Sequence, residues 1–262
     1  MKLLVIHGST RKGNTYALTR EIVRRIATKP DVEVTEISVA ALDLPFCRSC
    51  HACFDRGEEF CPHYGVMREV EAALLACDAV VLTGVTYMWS LNAAMKNLLD
   101  HLSYLFHRPA LFGKRGMVIA TSKGAGEKGV AKYLKTVLGQ WGAGGAVVFT
   151  QNEKEQKLLS DSKKAEKLSR AADQLYRLMK SNRQLPPSLK NIAVHNAFRA
   201  MAQGEYAESE RDALYWQESG CGNKAYPLKV SWPMRAFGAL VHRASAGAAR
   251  LAGRIYMKQQ GE

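Results

Sequence analysis

The 262-residue sequence predicts an α/β protein, a parallel sheet with helices packed on both faces. Short apolar runs recur along residues 1–150, and stretches with helical periodicity separate them. In addition, a loop rich in glycine and hydroxyl residues follows the first apolar run directly. Open parallel sheets bind their ligands at this kind of position, beyond the carboxyl ends of the strands.

Five strands are predicted from short runs of apolar and β-branched residues. They lie at 2–7, 32–39, 79–83, 116–121 and 146–150. The first, KLLVIH, is stopped by Gly8, and the third and fourth read AVVLT and GMVIAT. The second alternates apolar and polar residues, whereas the first and third are predicted to be buried strands.

Helices are predicted between the strands from apolar residues at three- and four-residue steps. The first covers 15–28, and Asn14 is expected to cap it. Further helices are predicted at 67–76, 91–106, 127–141 and 153–180. Five strands alternating with helices in about 150 residues fit the flavodoxin-like, three-layer form of the parallel sheet.

A polar, proline-containing stretch at 181–188 predicts the end of this domain. We therefore expect one domain at 1–182 and a mainly helical C-terminal extension at 183–262. Within the first domain, residues 45–64 are predicted to be an irregular, cysteine-rich insertion bounded by two prolines.

The end of the extension predicts a basic amphipathic helix. Its apolar stripe comprises Phe237, Leu240, Val241, Ala244, Ala248, Leu251 and Ile255, and another face carries Arg243, Arg250, Arg254 and Lys258. Such a helix can lie on an anionic membrane surface. Packing on the domain or on a second subunit is the commoner use and is the one we favour.

The cysteine content is informative because of the expected compartment. No apolar run approaches the ~18 residues that span a bilayer, and the apolar start of MKLLVIHGST is too short for a signal peptide. We therefore expect a cytoplasmic protein, in which thiols stay reduced. Six cysteines in that compartment argue against a disulfide framework and favour metal binding or redox chemistry.

The net charge of +13 is unevenly distributed, since residues 1–113 are balanced and the whole excess lies in 114–262. No recognisable nucleic-acid module is present, and nucleic-acid binding is not expected. The phosphates of a nicotinamide cofactor, an anionic partner, a membrane surface or a plain solvated face would each explain the basic half.

The loop at 8–15, GSTRKGNT, leaves the first strand and opens the first helix. Backbone N–H groups and the positive end of the helix dipole face an anion at such a position. The spacing is neither G-x-G-x-x-G nor the G-x4-G-K-[ST] nucleotide loop, so a phosphate would be held differently here. The predicted binding residues are Gly8, Ser9, Thr10, Arg11, Gly13, Asn14 and Thr15.

GSTRKGNT resembles the phosphate loop of the flavodoxin-like NAD(P)H-dependent FMN reductases. Two further stretches match that family in order: TGVTYMWS at 83–90, followed by Lys96 and Asp100, and TSKGAG at 121–126. The sequence departs from the family at Val85, where Pro is frequent, and at Lys123, where Gly is common. The resemblance covers roughly residues 1–150 and implies bound FMN, with NAD(P)H as substrate. It implies further FMN-binding residues at Val85, Thr86, Tyr87, Met88, Trp89, Thr121, Ser122, Lys123 and Gly124.

Four cysteines in the insertion form a compact Cys-x2-Cys-x2-Cys-x7-Cys pattern at Cys47, Cys50, Cys53 and Cys61. A short looped backbone lets such thiolates converge on one point. The pattern leaves three interpretations open: a [4Fe–4S] cluster, redox thiols without metal, or a tetrahedral zinc site. His51 and His63 are spare potential ligands that we expect at the surface, and Cys77 is expected to be an inert core thiol.

The cysteine pattern resembles that of the iron–sulfur flavoproteins, flavodoxin-like proteins with four cysteines in the same insertion. The cysteines match one by one, with a slightly longer last gap. That resemblance implies a [4Fe–4S] cluster that exchanges single electrons with FMN. It also implies a homo-oligomer, a dimer or tetramer, in which each cluster approaches a neighbour's flavin.

The function expected from the sequence is an FMN-dependent oxidoreductase supplied with electrons by NAD(P)H or by a donor protein. The alternatives are a non-enzymatic, flavodoxin-like electron carrier and a cysteine-based redox or metal sensor. The flavin itself would perform the chemistry, and we therefore nominate no acid–base residue.

Overall fold

A computed structural model describes residues 1–181, 183, 185–203, 209–219 and 224–260, with backbone alone at 255–260. Its strands are β1 (Lys2–His7), β2 (Glu33–Ser38), β3 (Ala79–Tyr87), β4 (Ser90–Leu91), β5 (Arg115–Ser122) and β6 (Ala146–Asn152). Five of them form a parallel sheet in the order β2-β1-β3-β5-β6. The two residues of β4 pair antiparallel with the end of β3.

The helices are α1 (Asn14–Ala27), α2 (Ala52–Asp55), α3 (Tyr64–Ala76), α4 (Ala93–His101), α5 (Glu127–Gln140), α6 (Glu153–Lys157), α7 (Asp161–Lys180), α8 (Leu189–Ala202), α9 (Glu210–Glu218) and α10 (Trp232–Gln260). The helices form two layers, one on each face of the sheet. The residues of β1 show this, because successive side chains of a strand point to opposite faces. Leu4 and Ile6 belong to the core shared with α3, α4 and α5. Leu3 and Val5 belong to the core shared with α1 and α7. The predicted three-layer, flavodoxin-like fold is confirmed.

Several element boundaries differ from the prediction. The third strand continues to Tyr87 and turns back into β4, so that residues 84–87 are strand rather than loop. Gly13, not Asn14, occupies the N-cap position of α1, so the predicted Asn14 cap is wrong. The helix predicted at 153–180 is two helices, because Ser160 caps α7 by accepting a hydrogen bond from the Lys163 backbone N–H. The helix predicted at 91–106 begins at Ala93 and ends at His101.

The C-terminal extension is helical, as predicted. Helix α8 packs against α9 and α10, and Trp216 of α9 is fully buried beside Phe198. At Gly238 of α10, a Cβ would lie only 2.8 Å from Nδ2 of Asn196 in α8, so α8 and α10 approach closely there. The domain boundary at 182/183 stays a prediction.

The apolar stripe of α10 is only partly covered. Phe237 and Val241 are half-buried, whereas Leu240 and Leu251 are more than 60% exposed. The side chains of Ile255 and Lys258 lie outside the described residues. Among the residues that the structure describes, no helix is long and apolar enough to cross a bilayer.

Candidate functional site

The loop after β1 is folded into a compact turn by its own polar groups. Ser9 Oγ donates to the Arg11 carbonyl over 2.6 Å, and the Gly13 N–H donates to the same oxygen over 2.8 Å. Ser9 and Thr15 are buried, while Thr10, Arg11 and Asn14 are exposed. The buried hydroxyls therefore shape the loop, and the exposed side chains are the ones free to meet an anion.

Gly8 lies where the loop passes against Thr83 in the middle of β3. Its N–H donates to Thr83 Oγ1 over 2.8 Å, and a Cβ added there would overlap the Thr83 carbonyl oxygen. Asn92 Nδ2 donates to the Gly8 carbonyl over 2.6 Å, and Asn92 Oδ1 accepts from the Val85 N–H over 3.2 Å. Asn92 thus joins two of the predicted binding loops. Sequence reasoning missed it, since Asn92 lay within the helix predicted at 91–106, whereas the observed α4 begins only at Ala93.

The end of β5 and the loop that follows it lie against the loop after β1 and the end of β3. Thr15 Oγ1 and Thr121 Oγ1 are 2.6 Å apart, and Ser122 Oγ donates to Glu127 Oε2 over 2.5 Å. At Gly126, φ is +97°, and a Cβ would lie 2.8 Å from Cγ2 of Thr86. The three predicted binding segments therefore meet at the carboxyl end of the sheet, with Lys123 and Gly124 exposed beside them.

The turn between β3 and β4 is strained. Met88 and Trp89 form its two central positions with φ of 47° and 62°, a left-handed conformation that favours Asn and Gly in two-residue hairpins. Both are large side chains, and they are 94% and 77% exposed. Strain of this kind persists only where the surrounding structure imposes it, and it clusters at ligand-binding sites. The turn presents three exposed large side chains, the third being Tyr87.

The four cysteines of the insertion converge. Cys47, Cys50, Cys53 and Cys61 all line one cavity of about 150 Å³. Burial, with the neighbouring Cys61, raises the pKa of Cys53 to about 11. Burial also raises the pKa of Cys61. These two thiols are therefore protonated at neutral pH without a metal, and would lose their protons on binding one.

The two histidines in the cysteine insertion, His51 and His63, differ in solvent exposure. His51 is exposed, as predicted, and His63 is partly exposed. The His63 ring lies against the ring of the α4 residue His101, with the two centroids 5.3 Å apart. Cys77 is buried, as predicted, and burial raises its pKa to about 11.

Asn97 of α4 fixes the start of the insertion. Its Oδ1 accepts from the Cys47 N–H over 3.0 Å. Its Nδ2 donates to the carbonyls of Leu44 and Pro45, over 3.2 and 3.0 Å. One residue before it, Lys96 forms an exposed ion pair with Asp100.

Arg108 ties the insertion to the C-terminal extension. The guanidinium group is buried and donates to the Cys53 carbonyl over 2.6 Å and to Glu58 Oε2 over 2.9 Å. It also pairs with Asp212 of α9, whose other carboxylate oxygen lies 2.6 Å from His107 Nδ1. Because Arg108 and Asp212 are 104 residues apart in sequence, no local pattern indicates their contact.

A five-stranded parallel sheet in this order, with helices on both faces, defines the flavodoxin-like class of proteins. Residues 1–153 match the family of NADPH-dependent FMN reductases, and the chain belongs to that family. It is thus a flavin-dependent, NAD(P)H-linked oxidoreductase, and the resemblance found in the sequence is confirmed.

The chain is similar to two iron–sulfur flavoproteins of Archaeoglobus fulgidus. It is 26% identical to one over 228 residues, which cover 84% of this chain and 99% of that protein. It is 31% identical to the other over 100 residues, 38% of this chain and 48% of that protein.

Two solved structures share the fold. An NADH:FMN oxidoreductase in its apo form superposes with a TM-score of 0.53 at 23% identity, covering 70% of this chain and 91% of its own. An FMN-dependent NADH-azoreductase from Bacillus anthracis in complex with FMN has a TM-score of 0.53 at 12% identity. The superposition covers 68% of this chain and 99% of that one.

We expect that replacing the strained turn by its preferred residues, Met88→Asn with Trp89→Gly, stabilises the protein and weakens FMN binding. Because Asn and Gly adopt the left-handed conformation with less strain, the double variant should gain about 1–2 kcal/mol in free energy of unfolding. Loss of the aromatic and thioether surface should weaken FMN binding about tenfold. Denaturant unfolding and flavin-fluorescence titration measure the two effects. Leu75→Asn, at an exposed position where α3 ends beside the amino end of β3, is the control. Unchanged FMN affinity in the double variant would show that the hairpin does not contact the flavin.

Proposed function

We propose that this chain is an FMN-dependent oxidoreductase that passes electrons from NAD(P)H or a donor protein through a [4Fe–4S] cluster. The convergence of Cys47, Cys50, Cys53 and Cys61 on one cavity is the observation that carries the proposal. FMN binding is expected because the chain belongs to the family of NADPH-dependent FMN reductases. The [4Fe–4S] cluster is proposed from the four cysteines.

The loops at the carboxyl end of the sheet fit FMN. A glycine is required at position 8, where the backbone passes against Thr83. Thr86 Oγ1 is buried and has no hydrogen-bond partner among the described residues, so a polar group of a ligand would satisfy it. Beside it, the exposed Tyr87, Met88 and Trp89 offer the flat apolar surface that a flavin ring needs.

Each loop has its own role in this proposal. The exposed Thr10, Arg11 and Asn14, with the backbone N–H groups of the loop from Gly8 to Thr15, would hold the phosphate. The hairpin with Val85 and Thr86 would orient the ring, and the loop from Thr121 to Gly124 would close the other side. When bound, FMN accepts a hydride from NAD(P)H and releases electrons one at a time.

The cysteines fit an iron–sulfur cluster better than reactive thiols. Thiols that act as nucleophiles or redox sensors usually have a lowered pKa and open access, whereas burial raises the pKa of both Cys53 and Cys61. Thiolate ligands are the donor set that holds [4Fe–4S] clusters. The similarity to the Archaeoglobus protein named an iron–sulfur flavoprotein over 99% of its length supports the same interpretation.

A homo-oligomer, dimer or tetramer, is part of the proposal, since it would bring a cluster close to a neighbour's flavin. The exposed Leu240 and Leu251 on α10 support a subunit contact in the extension. We propose that the protein is cytoplasmic and that it has no nucleic-acid partner.

Anaerobic mixing of the purified protein with NADPH or NADH tests the proposed activity. We expect bleaching of the visible flavin bands, followed by a paramagnetic signal from the reduced cluster. Reduction by a low-potential donor protein alone, with no response to either nucleotide, would make the chain an electron carrier instead. A purified chain that binds no FMN would favour the cysteine-based sensor.

A further inference from the structure

A cysteine and two histidines meet at the edge of the cysteine cavity. Cys61 Sγ and one ring nitrogen each of His63 and His101 all lie within 4.8 Å of one another. The distance from Cys61 Sγ to His101 Nδ1 is 3.7 Å. Zinc–sulfur and zinc–nitrogen bonds of about 2.3 and 2.0 Å place tetrahedral ligands roughly 3.5 Å apart. Cys61 and His101 therefore already lie at about the separation that one zinc ion requires, and His63 lies close beside them.

The surroundings of His101 orient it as a metal ligand. Its Nε2 lies 3.0 Å from the Pro45 carbonyl oxygen, and because a carbonyl only accepts, Nε2 carries the hydrogen. In the neutral ring, the lone pair is then on Nδ1, the atom next to Cys61. Metal-bound histidines commonly donate their other N–H to a backbone carbonyl in this way. Asn97 donates to the same carbonyl and holds it in place.

His63 adds an independent observation. Its Nδ1 is buried and has no hydrogen-bond partner among the residues that the structure describes. A buried nitrogen without a partner costs free energy, and coordination of a metal ion by Nδ1 would offset that cost. His51, by contrast, lines the same cavity but is exposed and is not one of the three grouped ligands.

We propose that Cys61, His63 and His101 form a mononuclear zinc site, separate in composition from the four-cysteine set. Zinc binding would release the thiol proton of Cys61 to solvent. A cysteine at 47 or 50, both on the same cavity, or a water molecule would complete the tetrahedron.

Because Cys61 belongs to both sets, zinc and the four-cysteine cluster exclude one another. This exclusion rests on the proposed cluster, whereas the zinc site itself does not. A chain that has lost its iron would therefore be held in a zinc-bound form that cannot rebuild the cluster until the zinc leaves.

Cobalt titration of the full chain, freed of iron by a chelator, tests the site. We expect one Co²⁺ per chain, a thiolate-to-cobalt charge-transfer band, and displacement of the cobalt by Zn²⁺. His101→Gln and His63→Ala should each weaken Co²⁺ binding at least roughly tenfold. His51→Ala should leave it unchanged, and FMN binding in every variant shows that the fold is intact.

Equal Co²⁺ affinity in the unaltered chain and both histidine variants would overturn the proposal, as would the absence of Co²⁺ binding. Reconstitution with iron and sulfide separates this proposal from the cluster. Cluster assembly that Zn²⁺ blocks in the unaltered chain, but far less in the histidine variants, would support both. Histidine-dependent Co²⁺ binding in a chain that never assembles a cluster would support the zinc site and contradict the cluster.

Discussion

Replacing Asp212 with alanine is expected to destabilise the protein by about 3 kcal/mol, because it leaves the buried Arg108 guanidinium with one fewer counter-charge. The same change removes the carboxylate that lies against His107. Arg108 holds the Cys53 carbonyl, so the insertion should loosen as well. Denaturant unfolding gives the free energy, and the rate of iron loss to a chelator reports on the insertion.

Glu166→Ala is the matched control for this prediction. Glu166 pairs with Arg170 on α7, and both side chains are more than 60% exposed, so its removal should cost less than about 0.5 kcal/mol. Equal losses of stability in the two variants would show that the Arg108 network does not join the extension to the insertion.

Replacing Cys53 with serine is expected to abolish the iron–sulfur cluster and to leave FMN bound. A serine hydroxyl is a poor substitute for a thiolate ligand, and the loops proposed to bind FMN lie outside the cysteine insertion. Iron and acid-labile sulfide should fall from about four of each per chain to near zero. Metal and sulfide assays on anaerobically purified protein measure the loss, and flavin absorbance measures what is kept.

Cys77→Ala serves as the control for the cysteine prediction. Cys77 is buried beside β3 and does not line the cysteine cavity, so this variant should keep the full iron content. A Cys53→Ser chain that keeps its iron would remove Cys53 from the ligand set.

The layers and the position of the binding loops could be predicted because their signals are local. Apolar runs such as AVVLT mark buried strands, and a loop that leaves a parallel strand lies at the binding edge whatever its neighbours are. The hairpin at 87–90 could not be predicted in the same way. Met88 and Trp89 are not turn formers, and their left-handed conformation runs against local propensity.

The contacts that hold the cysteine insertion lay beyond sequence reasoning for a different reason. Asn97, Arg108 and Asp212 act through tertiary contacts with residues 50 to 104 positions away. The cysteine spacing predicted convergence, which the shared cavity shows. His63 was already a potential ligand in the sequence, but nothing there predicted His101, which comes from a helix 40 residues after Cys61.

The visible absorption spectrum of anaerobically purified protein, combined with iron and acid-labile sulfide assays, tests the two-centre account most directly. We predict flavin bands on a broad iron–sulfur shoulder, with about four irons and four sulfides per chain. Flavin bands without iron or sulfide would contradict it, leaving an FMN reductase whose four cysteines hold no cluster.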